Sequence, residues 1–146
     1  MSNSFTQLYI HLVWATWDRL PLLRGAIREA AKACILYECK QIGAKVICIG
    51  GTEDHIHLFV ELPTTLCIAD LVKQVKGSSS HKISHDIDGG SGFRWQGSYA
   101  AFTVSRSLGR TVKHYIQNQE QHHCDGTTDK NMEIAWPGAA VDISVQ

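Results

Sequence analysis

Residues 45–62 read KVICIGGTEDHIHLFVEL, two β-rich runs on either side of a glycine-containing turn, Gly50-Gly51-Thr52. This pattern restricts the chain to folds that contain an antiparallel strand pair. In the second run, strand alternation sets Ile56, Leu58, Val60 and Leu62 on one face, and Glu53, His55, His57, Phe59 and Glu61 on the other. The first is a core face. The second is polar with one aromatic, and it holds two imidazoles side by side on a stiff strand. Histidines so placed can grip one divalent cation from a fixed direction. They supply only two ligands, so a third has to come from elsewhere. The plain alternative is a structural pair, which is what an isolated His-x-His most often is.

The remaining segments alternate between strand and helix patterns. Leu8 to Trp17 is dense in β-branched and aromatic residues and reads as a strand. After Pro21, apolar residues recur at helical spacing from Ile27 to Ile42 and stop at Gly43, a helix-ending residue. Pro63-Thr64-Thr65 opens a second helix, from about Leu66 through Lys76 into the 80s, with Ile68, Leu71, Val72 and Val75 inward. Asp88 to Gly92 is a loop, Trp95 to Ser105 a strand, and Leu108 to about His122 a last helix. The order β-α-β-β-α-β-α predicts an α+β fold: a ferredoxin-like, RRM-like antiparallel sheet with packed helices. Residues 1–123 form one expected domain, and 124–146, polar and without period, a C-terminal tail or arm.

A chain of 146 residues can bury a core without staples. With 44% hydrophobic and 19% charged residues, no apolar run long enough for a membrane helix and no early basic residue before Arg19, a cytoplasmic protein without signal peptide is expected. The five cysteines are odd in number and lack paired metal spacing, so they read as buried free thiols. Zero net charge argues against indiscriminate coating of nucleic acid. The charges are unevenly spread, however: residues 73–113 hold seven basic and two acidic side chains, and residues 114–146 one basic and five acidic. A basic middle could hold phosphates, and solvated helix faces would account for it equally well.

In the last helix Tyr115 and Gln119 stand four apart, sharing a face with Leu108, Val112 and Ile116. Turned inward over the histidine strand, they could put the Gln119 carbonyl on a metal and the phenol beside it. Such a set suits cleavage of a phosphodiester by tyrosine, in which a divalent ion assists a phenol of ordinary pKa ~10. The phosphotyrosine ester so formed conserves the energy of the broken bond, allowing a later rejoining without ATP. A tyrosine on an inner helix face is also a common core residue with its hydroxyl tied off. Lys76-Gly77-Ser78-Ser79 lacks the order of a phosphate loop. In His122-His123-Cys124 adjacent residues on a helix point apart, so the run carries no metal assignment, whereas His81 and His85, four apart, share a helical face and read as solvated or near phosphate.

Four segments together resemble the single-tyrosine HUH transposases of the IS200/IS605 type, including REP-associated tyrosine transposases: EDHIHL (53–58), LVKQVKGSS (71–79), FRWQGSY (93–99) and YIQNQ (115–119). The resemblance covers roughly Phe5 to His123. It implies that His55, His57 and Gln119 coordinate Mg2+ or Mn2+, and that Tyr115 is the nucleophile. The implied activity is cutting and rejoining single-stranded DNA at hairpin-bearing element ends through a 5′-phosphotyrosine. A homodimer, with the tyrosine helix able to act in trans, is also implied. Lys73, Lys76, Lys82, Arg94 and Arg106 would hold the DNA. Two other readings are a domesticated or inactive hairpin-binding relative, and a small metal-dependent phosphoesterase using water activated at His55 and His57. Many relatives continue past the tyrosine helix with a helical extension, whereas here the chain after His123 turns polar and acidic.

Overall fold

The apolar alternations fold as a four-stranded sheet in the order β2-β3-β1-β4, seen in a computed structural model that describes residues 4–129, 132 and 133. The strands are β1 (Tyr9–Ala15), β2 (Lys45–Gly51), β3 (His55–Glu61) and β4 (Ala100–Val104), and every neighbouring pair is antiparallel. The helices are α1 (Gly25–Gln41), α2 (Ile68–Asp86), α3 (Gly109–Gln117) and α4 (Gln119–Asp125). This is the ferredoxin-like α+β arrangement expected from the element order.

Pairing registers decide which side chains meet. Trp14 lies opposite Ile56 and Leu12 opposite Leu58, while Val13 lies opposite His57 and Ala15 opposite His55. The Leu12–Trp14 face packs with Ile56, Leu58 and Val60 against Ala31, Ile35 and Cys39 of α1 and Leu71, Val72, Val75 and Ile83 of α2. Burying each such side chain contributes roughly 1.5–3 kcal/mol. The opposite face, with Cys48 and Phe59, is covered by Val112 and Ile116 of α3. Gly50 makes that close approach possible, because a Cβ there would lie 2.3 Å from the Ile116 carbonyl oxygen.

Several expected elements differ in detail. Trp95 makes a single antiparallel bridge to Thr16, and the sheet resumes only at Ala100. Between them Gln96 N–H still donates to the Ala15 carbonyl, and the Lys76 ammonium donates to the carbonyls of Gln96 and Ser98. The expected last helix breaks at Asn118 (φ −110, ψ 27) into α3 and α4. Leu108 belongs to a preceding 3-10 turn and is 55% exposed, so it does not share the inner face as expected. Helix α4 runs to Asp125, and Met132 packs back onto the Phe59–Ile116 cluster; residues 130, 131 and 134–146 of the expected arm lie outside the described residues. All five thiols are free; Cys39 and Cys48 are buried as expected, whereas Cys67 and Cys124 are exposed. No described helix is long and apolar enough to cross a membrane.

Candidate active site

Because β3 is stiff and covered by α3, its outward-alternating histidines are buried, His55 at 1% exposure and His57 at 0%. The start of β3 fixes the His55 ring: its Nδ1 lies 2.7 Å from Asp54 Oδ1 and 2.9 Å from Thr52 Oγ1. The carboxylate can only accept, so Nδ1 carries a proton, and Nε2 points inward toward Gln119 and Glu133. Burial opposes charge on His55, but the hydrogen bonds to Asp54 and Glu133 outweigh it and push the pKa up to about 9. His57 is governed by burial and the neighbouring His55, which hold its pKa below the ordinary value.

Tyr115 and Gln119 reach the same point from two different helices. The break at Asn118 places Gln119 at the first position of α4, yet its Oε1 stands 3.2 Å from His55 Nε2. The Tyr115 ring is edge-on to His57, 6.1 Å between centroids, and stacks on His122 at 4.6 Å. Its hydroxyl donates to the Glu133 carboxylate and accepts from the Asp129 N–H at 2.9 Å. Burial and that carboxylate push the phenol's pKa up to about 12, so the hydroxyl is protonated at neutral pH. The described single chain thus brings Tyr115 beside its own histidines.

Glu133 was hidden from sequence reasoning. It returns from beyond α4 to place Oε2 3.2 Å from His55 Nε2, 3.4 Å from His57 Nε2 and 3.4 Å from His123 Nε2. Burial would raise its pKa, but contacts with His55, His57 and Tyr115 hold it well below the usual carboxylate range. The atoms His57 Nε2, Glu133 Oε2 and Gln119 Nε2 are nevertheless buried without an aligned hydrogen-bond partner. One donor atom each from His55, His57 and Glu133 lies within 4.8 Å of the others. Two imidazoles, a carboxylate and a carboxamide converge here, with His55 contacting Gln119 and Glu133 while His57 Nε2 keeps no aligned partner, and this donor set suits a divalent cation.

His11 was also missed. Its Nε2 lies 2.8 Å from His57 Nδ1, in a buried contact across β1 and β3. An imidazole inside an otherwise apolar strand, in phase with Val13 and Ala15, was the signal that could have found it. The pair His122-His123, left without a role in the sequence, borders the site through Tyr115 and His55 respectively.

The expected DNA-contacting residues do not gather here. Lys73 and Lys82 are exposed on α2, beyond the sheet from α3, and Lys82 pairs with Asp86 at 3.4 Å. Lys76 is half-buried and tied to the 96–98 backbone. The Arg94 guanidinium stacks over the Trp17 ring at 3.7 Å. Arg106 follows β4 at the end of the sheet that Tyr9 and Glu61 share, roughly 20 Å along the strands from His55. Beside the site instead is a cavity of about 510 Å³ lined in part by Arg19, Arg24, Arg28, Asp54 and His123.

A ferredoxin-like sheet carrying a buried His-x-His pair under a tyrosine helix defines a class of small α+β proteins with a polar centre on one sheet face. The sequence profile described as "Transposase IS200 like" matches residues 4–119, and the chain belongs to that transposase family, whose members act on DNA in transposition. It is 29% identical over 120 residues to the ISDra2 transposase TnpA of Deinococcus radiodurans, covering 77% of this chain and 84% of that one. It is 23% identical over 135 residues to the transposase for insertion sequence element IS200 of Salmonella typhimurium, covering 88% and 86% respectively. A crystal structure described as a transposase from D. radiodurans R1 superposes with TM-score 0.63 at 26% identity, covering 82% of this chain and 95% of that one. A REP-associated tyrosine transposase bound to a REP hairpin shares the fold, with TM-score 0.63 at 11% identity, covering 88% and 74%.

Proposed function

We propose that this transposase cuts and rejoins single-stranded DNA at hairpin-bearing ends, with Tyr115 as nucleophile and a divalent cation, Mg2+ or Mn2+, held by His55, His57 and Gln119. Glu133 joins the donor set as a carboxylate. The observation that carries this reading is the buried convergence of unsatisfied donors next to the Tyr115 hydroxyl. The fold is shared with a protein bound to a hairpin, which supports the same class of substrate here.

The cation would supply charge withdrawal from a non-bridging phosphate oxygen and favour the phenolate over the phenol. Tyr115 Oη attacks phosphorus in line with the leaving 3′ oxygen. The Oη–P bond forms and the P–O3′ bond breaks, and one proton moves in net from Oη to the leaving O3′, which departs as a 3′-hydroxyl. The DNA remains joined through its 5′-phosphate, and a later 3′-hydroxyl can reverse the step. Asp54 and Thr52 keep the His55 ring oriented, and burial keeps bulk water from competing with the phenol. Arg19, Arg24 and Arg28 line the adjoining cavity, where a strand leading from the scissile phosphate could lie; they are paired with Asp54, Glu53 and Glu120 at 3.5, 2.7 and 2.5 Å. Exposed Lys73, Lys82, Arg94 and Arg106 serve the more distant hairpin, whereas Lys76 serves the fold. The working unit is read as a homodimer, checked by light scattering on the purified protein.

The experiment is covalent capture. A 3′-labelled single strand carrying a hairpin, incubated with Mn2+, should yield a denaturant-resistant protein–DNA species that disappears in Tyr115→Phe. Hairpin binding without any adduct would leave a DNA-binding relative. Metal-dependent cleavage that persists in Tyr115→Phe would make the protein a phosphoesterase.

A further inference from the structure

We propose that His11 is a positioning residue that sets the tautomer of His57, keeping Nε2 of His57 available to a cation. The inference rests on the reading above, that His57 is a metal ligand.

His11 sits on β1, 1% exposed, one diagonal step from His57, because His11 lies opposite Phe59 while His57 lies opposite Val13. The rings lie edge to edge, 5.0 Å between centroids and 21° between planes, with His11 Nε2 2.8 Å from His57 Nδ1. A hydrogen bond between two neutral imidazoles needs one proton on the line between them. There are two ways to place it. Either His11 donates, and His57 then carries its own proton on Nε2, the atom that faces Glu133 and lacks an aligned partner. Or His57 Nδ1 donates and His11 accepts, which leaves a lone pair on His57 Nε2. Only the second arrangement lets His57 bind a cation, and it requires an acceptor at position 11.

The two histidines of β3 are therefore oriented by unlike partners. His55 donates to the Asp54 carboxylate, a charged acceptor at the rim, whereas His57 meets an uncharged acceptor in the sheet interior. A second carboxylate in that interior would need burial of another charge, which is costly. An imidazole gives the orientation without the charge. Phe102 closes the far side of His11 at 5.8 Å between centroids, so the ring has an apolar wall as well as a polar partner. A merely aromatic role would be met by phenylalanine, and this separates the two explanations.

The test compares His11→Phe with His11→Gln in the full chain. Mn2+ affinity is measured by calorimetry, and thermal unfolding of the metal-free protein is measured alongside. Gln can place a carbonyl oxygen near the former Nε2; Phe keeps the bulk and removes the acceptor. We expect His11→Phe to lose about 10–100-fold in affinity, the usual cost of removing a ligand's supporting hydrogen bond, and His11→Gln to recover most of it. Equal affinity of His11→Phe and the unsubstituted protein overturns the inference. So does a loss shared by both variants that follows their melting temperatures. If the unsubstituted protein binds no Mn2+, it is the reading of the site that fails instead. Should His11→Phe not fold, nitrogen-15 spectra of the unsubstituted protein's histidines with Mg2+ bound decide the matter. They should show His57 protonated on Nδ1, and protonation on Nε2 would overturn the proposal.

Discussion

Strand β3 carries two sets of side chains with equal burial and different surroundings. Ile56, Leu58 and Val60 are at most 1% exposed, as are His55 and His57. The first set packs in an apolar cluster with side chains of β1, α1 and α2. The second meets a tyrosine, a carboxamide and a carboxylate, and His57 Nε2 ends without an aligned partner. Burial therefore does not distinguish a core face from a site. A convergence of unsatisfied buried polar atoms does, because each costs about 1–3 kcal/mol. Among the described residues, Trp14 Nε1 on the core face also lacks a partner but has no second such atom beside it in that cluster, whereas His57, Gln119 and Glu133 each bring one to the same point.

The contrast is broken most directly by exchanging its two halves. His57→Ala is expected to lower Mn2+ affinity by more than about 100-fold, beyond the usual cost of losing a supporting hydrogen bond. Leu58→Ala should leave that affinity within about threefold while costing roughly 2–5 kcal/mol of stability by denaturant unfolding. A comparable loss of affinity in both variants would mean the two faces are not separate. Next in size is the fourth donor. Glu133→Gln should weaken Mn2+ binding about tenfold, consistent with a lost ligating charge; tighter binding would show instead that the carboxylate competes with the cation.

Gly50→Ala tests how α3 is seated. The added methyl would meet the Ile116 carbonyl, so a loss of roughly 1–3 kcal/mol is expected, with faster hydrogen exchange in α3 than in α1 or α2. Uniform loosening of all three helices would sink that explanation.

The smallest effect is in pH. The His55 pKa is raised from about 6.5 to about 9 by Asp54 and Glu133 against the opposing effect of burial, so its contribution is complete below pH 6.5 and disappears as pH rises through 9. His11 runs the other way. Burial first, then the nearby His57, lower its pKa to about 3, so stability falls as pH drops below 6.5 and the unfolded chain takes up a proton that the fold refuses. Thermal melts of the metal-free protein should peak near neutrality. Asp54→Asn should flatten the alkaline side, and an unchanged alkaline slope would count against the Asp54–His55 contact.

Much of this was legible in the chain. The alternation of 55–62 and the helical spacing of 27–42 gave strands and helices close to those observed, and their order gave the sheet. Tyr115 and Gln119 came to the histidine strand as their spacing suggested, though by way of a break at Asn118 that no local signal announced. Lys76 read as a phosphate-binding cation, but its neighbours in space are carbonyls twenty and twenty-two residues away.

The sequence by itself determined the periodicities, and with them which residues of β3 share a face, because alternation along a strand is a property of the backbone. Only the tertiary structure decided what those residues meet. His11 reaches His57 across 46 residues through the β1–β3 register, and Glu133 reaches Tyr115 from 18 residues downstream by folding back over α4. Neither separation carries a period, so neither contact could be read before the sheet was paired and the helices laid on it.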